Sequence, residues 1–228
     1  MVSLLSSSVS QALDQTLFQY YPLATLVELA GQSCALAIFD KYHSSSSLSS
    51  ILILVGPGNN GADGLVIARW LACFTFRVTV CEPKPSQSDL AQNLRDQLNL
   101  FNVPFIDHSS LDYSHYTLVV DALFGFSFSG TPRSPFDTII NTLATLSRTV
   151  PVVCIDVPSG WNVDEGPVSS NSIIPDSLVS LSVPKLCSKF IPSTCTHYLG
   201  GRFIPPQIAA KFILDLPEYP ESQLFIKL

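Results

Sequence analysis

ILILVGPGNNGADGLVIARWL, the stretch from Ile51 to Leu71, joins an apolar strand, a glycine-rich turn and the start of a helix. Its first five residues are all apolar, which is typical of a parallel strand that is covered on both faces. The glycines that follow permit backbone conformations and close approaches that a Cβ atom would block. Apolar residues then recur at helical spacing, and Asp63 is the expected N-cap. Because a helix N-terminus has unpaired N–H groups and a positive dipole end, we expect an anionic phosphate to bind here.

The loop from Gly56 to Gly61 is only partly like the common phosphate-binding motifs. It lacks the Lys-Ser/Thr pair of a Walker loop, and its match to Gly-x-Gly-x-x-Gly is a weak pattern by itself. Asn59 and Asn60 add amide donors and acceptors that the turn geometry does not require. These two residues either form Asx turns that serve only the backbone or contact a ligand, and the pattern leaves both interpretations open.

Strands and helices alternate along the rest of the chain. Strand patterns recur at 51–55, 77–81, 117–121, 150–155 and 178–183, and helical patterns at 63–74, 86–100 and 136–147. One or two helices, broken near Pro22, are predicted for 7–41, and the serine-rich stretch 43–50 is predicted to be a flexible link. The alternation predicts a Rossmann-like, doubly wound α/β fold: a mostly parallel sheet with helices on both faces, a three-layer αβα sandwich. We expect residues 1–228 to form one domain.

The composition favours one well-buried domain and argues against several classes of protein. Of 228 residues, 46% are hydrophobic and 13% are charged, which fits a full core. A net charge of −6 argues against a nucleic-acid surface. The six cysteines form no Cys-x-x-Cys pair and are predicted to be reduced residues of an intracellular protein. No membrane span or signal peptide is predicted, so the expected location is cytoplasmic, with a mitochondrial location also possible.

Two aspartates close predicted strands at the sheet edge where the glycine loop emerges. Asp121 ends one apolar strand and Asp156 ends the next. Each aspartate by itself is equally compatible with a turn cap, but ligands of doubly wound sheets bind outside the carboxyl ends of the strands. Asn60, Asp121 and Ser159 offer only hard oxygen donors, which disfavours zinc or copper and leaves K⁺, Na⁺ and Mg²⁺ open. A nucleophilic Ser159 is disfavoured because the chain has no Gly-x-Ser-x-Gly elbow.

Five segments of the chain resemble the NAD(P)H-hydrate epimerases, a family also described as the YjeF N-terminal domain or the apolipoprotein A-I-binding-protein family. They are VELAGQSC (27–34), GPGNNGADGLV (56–66), VVDALFGFSFSG (119–130), CIDVPSGW (154–161) and SVPK (182–185). They stand in the order of the family and together cover nearly the whole chain. The resemblance implies an isomerase of cofactor repair that interconverts the R and S epimers of NADHX and NADPHX, which are NADH and NADPH hydrated at C6 of the nicotinamide ring.

The resemblance also implies where the site lies. It implies one K⁺ ion on Asn60, Asp121 and Ser159, and we predict Asp156 as the general acid/base with Lys185 assisting. The predicted substrate contacts, besides Asp156, are Asn59, Asn60, Gly61, Ala62, Asp63, Gly125, Phe126, Ser127, Phe128, Ser129, Gly130 and Thr131. The three phenylalanines near this second loop, at 124, 126 and 128, either stack on a ring or form a core lid. Kinship further implies a homodimer and a functional partnership with a separate NAD(P)H-hydrate dehydratase, and we expect no dehydratase domain within residues 1–228.

The chain departs from the family pattern at a few positions. Ala62 replaces a usual glycine, which costs about 1 kcal/mol if its φ is positive and little if φ is negative. Thr131 stands where many relatives have an acidic residue, and Asn162 replaces a common aspartate. Two other functions remain open at this point: a non-catalytic nucleotide-binding scaffold of the same fold, and a nucleotide-dependent oxidoreductase. The oxidoreductase is opposed by the absence of an acidic residue at the end of the second strand, where a ribose contact is expected. Glu82 comes one position too late for that contact.

Overall fold

The computed structural model describes residues 2–44 and 50–228, so most of the predicted link at 43–50 lies outside the described residues. The described α-helices are Ser7–Leu17 (α1), Leu23–Tyr42 (α2), Asn59–Cys73 (α3), Asp89–Leu100 (α4), Phe136–Leu146 (α5) and Pro206–Lys211 (α6). The described strands are Ser50–Val55 (β1), Arg77–Cys81 (β2), Phe105–Ile106 (β3), Leu118–Ala122 (β4), Val152–Ile155 (β5), Ser177–Leu181 (β6), Thr196–Gly200 (β7) and Phe225–Lys227 (β8). The first two helices are separated near Pro22, as the sequence predicts.

The strands form one eight-stranded sheet in the order β3-β2-β1-β4-β5-β6-β7-β8. Every neighbouring pair is parallel except β7 and β8, which are antiparallel. The chain order reverses between β1 and β4, and in such sheets ligands bind at this switch point. The glycine loop follows β1 directly, so the topology brings the predicted phosphate loop to this place.

Both faces of the sheet are covered, and β1 shows why its sequence is apolar throughout. Ile51, Ile53 and Val55 point into a core formed with α2, α3 and α4. The alternate residues Leu52 and Leu54 point to the other face, where α5 covers the sheet. Because side chains of a strand alternate between faces, a strand buried on both sides has no polar position left. The predicted three-layer α/β sandwich with a mostly parallel sheet is confirmed.

Some boundaries differ from the sequence pattern. Helix α3 begins at Asn59 with Gly58 at the N-cap position, so Asp63 lies inside the helix and the prediction of an Asp63 cap is wrong. The apolar pattern indicates only the part of the helix that packs against the core. It misses the first turn, which is formed by the polar residues of the loop. The pattern also misses β3 and β8, which have only two and three residues, and β7 and α6, in which polar residues interrupt the apolar pattern.

Helix α2 is long and apolar enough, by length and composition alone, to cross a membrane. The search for apolar runs in the sequence overlooks it, because polar residues interrupt the run within the helix. Half of this helix is buried inside the protein, and Cys34 and Ile38 pack in the core against the sheet. The packing is that of a core helix of an α/β sandwich.

Candidate active site

The glycines of the loop after β1 allow backbone segments to touch. A Cβ atom on Gly56 would lie 1.7 Å from the carbonyl oxygen of Leu123, and one on Gly61 would lie 1.8 Å from the carbonyl oxygen of Gly56. Neither glycine has a positive φ. These glycines are therefore required for close approach and not for a left-handed turn, and they fasten the loop after β1 to the loop after β4.

The start of α3 provides the expected cradle for an anion. Gly58 is the N-cap, and Ala62 is the first residue whose N–H bonds back to it, 3.2 Å from the Gly58 carbonyl oxygen. The N–H groups of the preceding helical residues have no acceptor within the helix. A Cβ atom on Gly58 would meet no atom within 4 Å, so there is open space beside this residue. A phosphate in that open space would face the positive end of the helix.

Ala62, the main departure from the family pattern, is accommodated without strain. It lies in the first turns of α3, does not have a positive φ, and is 7% exposed. Its methyl group belongs to the core on the α2 and α3 side of the sheet. The alternative in which alanine costs about 1 kcal/mol therefore does not apply.

A pocket of about 260 Å³ lies at the carboxyl ends of the strands. It contains many of the residues that the sequence predicts for the site, and its walls also include residues of α1 and α2. The predicted residues that line it are Asn59, Asn60, Asp63, Gly125, Phe126, Ser127, Asp156 and Lys185. The switch point of the sheet thus brings the glycine loop, the loop after β4 and the two strand-end residues to one cavity.

The other predicted contacts do not line this pocket. They are Gly61, Ala62, Asp121, Phe128, Ser129, Gly130, Thr131 and Ser159. Gly61 packs on backbone and Ala62 on the core, as described above. Phe128 stacks on Phe124 with ring centroids 4.0 Å apart, and Phe124 in turn contacts the ring of Phe136, the first residue of α5. Residues 129–131 are exposed beyond the pocket, and a ligand would reach them only by extending along the surface.

A buried ion pair joins the two residues predicted to be catalytic. Nζ of Lys185 lies 2.5 Å from Oδ1 of Asp156, and the two side chains are only 4% and 5% exposed. Lys185 also donates to the carbonyl oxygen of Leu181 at 2.8 Å and lies over the ring of Phe126. The second carboxylate oxygen of Asp156 accepts a hydrogen bond of 2.9 Å from the Phe126 N–H. The carboxylate is therefore held in one orientation at the pocket wall.

The backbone turns sharply where β5 and β6 enter the pocket. Asp156 and Ser182 both have left-handed φ values, 67° and 63°. Each is the central residue of a three-residue turn: Val157 N–H donates to the Ile155 carbonyl oxygen, and Val183 N–H donates to the Leu181 carbonyl oxygen. Such turns are rare and strained for residues with a Cβ. Both residues line the pocket.

Two further carboxyl groups line the same pocket, and the charge of Lys185 acts to lower the pKa of both. Asp63 is 7% exposed, and its burial, together with the charge of Asp156, raises its pKa well above the usual value. Asp14, on α1, is partly buried; burial raises its pKa to about 6, and Lys185 opposes this shift. The motif comparison misses Asp14 altogether. The helical spacing of Gln11, Asp14 and Phe18 could have indicated it, because it places these three residues on one face of α1, apart from the face that packs in the core.

Of the three residues predicted to hold a cation, Asn60 lines the pocket, whereas Asp121 and Ser159 do not. Asp121 is fully buried, and its oxygens accept from the hydroxyl and N–H groups of Ser159 at 2.7 and 2.8 Å and from the Leu123 N–H at 3.3 Å. Burial raises the pKa of Asp121, and these hydrogen bonds oppose the shift. Both side-chain polar atoms of Asn60 are buried without a partner in the described residues. A Cβ atom on Gly125 would lie 3.3 Å from Asn60, so the amide lies against the loop after β4.

Comparisons with known proteins agree with this architecture. Residues 23–187 match the family described as YjeF-related protein N-terminus. Two NAD(P)H-hydrate epimerases, from Aedes aegypti and Anopheles darlingi, are 43% and 44% identical, with 95% of each chain covered in both comparisons. The crystal structure of yeast ynu0 superposes with a TM-score of 0.94 at 38% identity, and both chains are covered completely.

A longer relative contains this domain as one part. The chloroplastic pyridoxine/pyridoxamine 5'-phosphate oxidase 1 of Arabidopsis thaliana is 41% identical over the whole of this chain, which spans only 45% of that protein. The matched segment, the relatives of similar length and the shared structure all show the same family. This chain therefore belongs to the family of YjeF-related protein N-termini.

Proposed function

We propose that this chain is an NAD(P)H-hydrate epimerase, an isomerase that interconverts the R and S epimers of NADHX and NADPHX. The two insect epimerases, which match it over nearly their full length, support the activity. The observation that carries the proposal is the buried Asp156–Lys185 pair, which stands in a pocket beside the N-terminus of α3. That arrangement offers a positioned proton acceptor next to a place for a phosphate.

The reaction needs proton transfer at a hemiaminal carbon. C6 of the hydrated ring carries a hydroxyl group and is bonded to N1. The hydroxyl group leaves to give an iminium ion, which takes up water on the other face, or the C6–N1 bond opens, rotates and closes again. In both routes a proton is given and another is taken, and we assign Asp156 to this exchange. Lys185 and the Phe126 N–H hold the carboxylate in position, and neither route requires hydride transfer.

Turnover of a single epimer tests the proposal. The purified protein is incubated with the R epimer of NADPHX, and formation of the S epimer is followed by chromatography. We expect catalysed equilibration that is lost in Asp156→Asn, and an Asp156→Asn protein with the wild-type rate would remove Asp156 from the role. In ¹⁸O-labelled water, full turnover without label in the product would exclude the route through hydroxide loss. An inactive wild-type protein that still binds NADPH would instead indicate a nucleotide-binding scaffold.

The proposed function includes a K⁺ ion held by Asn60, Asp121 and Ser159. The residues fit such an ion, because the Asn60 amide oxygen is buried without a partner and Asp121 is a fully buried carboxylate with no cation beside it among the described residues. Hard oxygen donors of this kind suit a hard cation. The bound ion would supply charge that fixes the glycine loop against the loop after β4.

Comparison of salts tests the ion site. We expect the melting temperature to be higher in KCl than in choline chloride of equal concentration, because a ligand that binds only the folded state stabilises it. Asn60→Ala should abolish this difference, whereas Asn99→Ala, on the exposed face of α4, should retain it. An equal effect of K⁺ on the Asn60→Ala protein would place the ion elsewhere.

We also propose a homodimer, a cytoplasmic or mitochondrial location, and a functional partnership with a separate NAD(P)H-hydrate dehydratase. Kinship supports the dimer and the partnership. The acidic composition supports the expectation that nucleic acid is not a partner, and we expect no membrane partner either. Light scattering after gel filtration tests the dimer directly, since a mass near 24.8 kDa would show a monomer.

A further inference from the structure

Helix α1 brings a carboxyl group to the pocket from outside the matched family segment, which begins at residue 23. The helix has two buried sides. Leu13 and Leu17 pack in a core cluster with residues that follow β6. Gln11, Asp14 and Phe18, at helical spacing on another side, line the pocket. The core contacts of the helix therefore determine that the Asp14 side chain faces the site.

The segment that leads into α1 is fastened to the residue pair at the centre of the pocket. The Leu5 N–H donates to the carbonyl oxygen of Pro184, and the Leu186 N–H donates to that of Leu5, both at 2.9 Å. These bonds flank Lys185 on either side. At the start of the helix, the Ser7 N–H donates to a carboxylate oxygen of Asp164 at 2.8 Å. Asp14 is thus held in a defined place relative to the Asp156–Lys185 pair.

We infer that Asp14 is a second acid/base residue of the epimerase and works together with Asp156. The inference rests on the proposed function. In the route through hydroxide loss, Asp14 donates its proton to the C6 hydroxyl group as the C–O bond breaks, which leaves water, an iminium ion and the Asp14 carboxylate. Water then adds to C6 and gives its proton to Asp156. In the ring-opening route, Asp14 protonates N1 as the C6–N1 bond breaks, and Asp156 takes the hydroxyl proton.

The charges in the pocket suit this division of roles. Asp156 has Lys185 as its partner, whereas Asp14 has no side-chain hydrogen bond or ion pair among the residues that the structure describes. The charged groups that face Asp14 are Lys185 and Asp156, and Asp63 lies in the same pocket. Burial raises the pKa of Asp14 to about 6, close to the range in which a group both gives and takes protons at neutral pH. Two carboxyl groups whose environments differ in this way can act as acid and base in one reaction.

Rates measured from pH 5 to pH 9 test the inference. We expect kcat/KM of the wild-type enzyme to fall on the alkaline side as Asp14 loses its proton. Asp14→Asn should lower kcat by 100-fold or more, leave KM within about threefold, and remove the alkaline fall. Asp14→Glu should restore part of the rate and of the pH dependence. Asp89→Asn, a matched change at an exposed position of α4, should leave the rate unchanged.

Unfolding in urea separates a catalytic role from a structural one. Because the folded-state pKa of Asp14 is raised from 3.8 to about 6, the folded state holds this proton more tightly, and wild-type stability decreases as the pH rises through that range. Asp14→Asn carries no charge there, so its urea midpoint should be higher than that of the wild type at pH 7.5 and equal to it at pH 3.5. A residue with only a structural role would show lower stability in the variant.

The possible outcomes distinguish this inference from the proposed function. A wild-type protein that does not turn over either epimer overturns the proposed function. An active wild type with an equally active Asp14→Asn variant overturns the inference alone, and so does a loss that is the same at every pH and is accompanied by lower stability. If the alkaline fall persists in Asp14→Asn and disappears in Asp63→Asn, the proton belongs to Asp63 and the inference is wrong.

Discussion

The buried pair of Lys185 and Asp156 predicts a large coupling between the two residues. Lys185→Met keeps the length of the side chain and removes its charge, which leaves Asp156 about 95% buried without a cation partner. Removal of one partner of a buried ion pair costs about 3–5 kcal/mol of unfolding free energy. Asn in place of Asp156 still accepts from the Phe126 N–H, and it tolerates the left-handed φ of 67°. The double variant, with no buried charge in the pair, should lose only about 1–2 kcal/mol relative to the wild type.

Urea unfolding followed by circular dichroism measures this cycle at constant KCl concentration. Urea is uncharged and does not screen the pair. The coupling energy between the two substitutions should reach at least about 2 kcal/mol, because each residue alone is destabilising when its partner is absent. Lys189→Met, at an exposed lysine four residues away, is the control and should change the stability by less than about 0.5 kcal/mol. Additive effects, or a Lys185→Met protein that loses less than about 1 kcal/mol, would refute the argument.

Two further predictions concern the glycine loop. Gly61→Ala should lower the unfolding free energy by about 1–3 kcal/mol or prevent folding, because the new Cβ would lie 1.8 Å from a carbonyl oxygen. Gly58→Ala is the control, since its Cβ would meet no atom within 4 Å. In the same urea assay its unfolding free energy should stay within about 1 kcal/mol of the wild type. Ala62→Gly should lower the unfolding free energy by about 1 kcal/mol through its lower helix propensity. It should leave kcat/KM within twofold, because the methyl group faces the core. A tenfold change in kcat/KM would show that the methyl group contacts the substrate.

The sequence was sufficient for the fold class, which depends on local patterns, and the family resemblance implied eight of the residues that line the pocket. An unbroken apolar strand, a glycine loop and a helical repeat within residues 51–71 specify a βα unit, and alternation of such units specifies a parallel sheet. Since parallel strands end at one edge, Asp156 and the glycine loop had to lie near each other. The short edge strands β3 and β8 were missed because pairing with the neighbouring strand defines them, and a few residues carry too little periodicity.

The directions in which side chains point depended on packing between distant segments. The methyl group of Ala62 faces the core because α2 and the sheet pack against α3 there. Phe128 stacks on Phe124 and does not line the pocket. Asp14 lies about 140 residues before Asp156 in the chain, and no local pattern links them. The contacts of Leu5 around Lys185 and of α1 with the core bring the two carboxyl groups into one pocket. Periodicity encodes which face of an element is buried, whereas the partner of that face is chosen only when the whole chain packs.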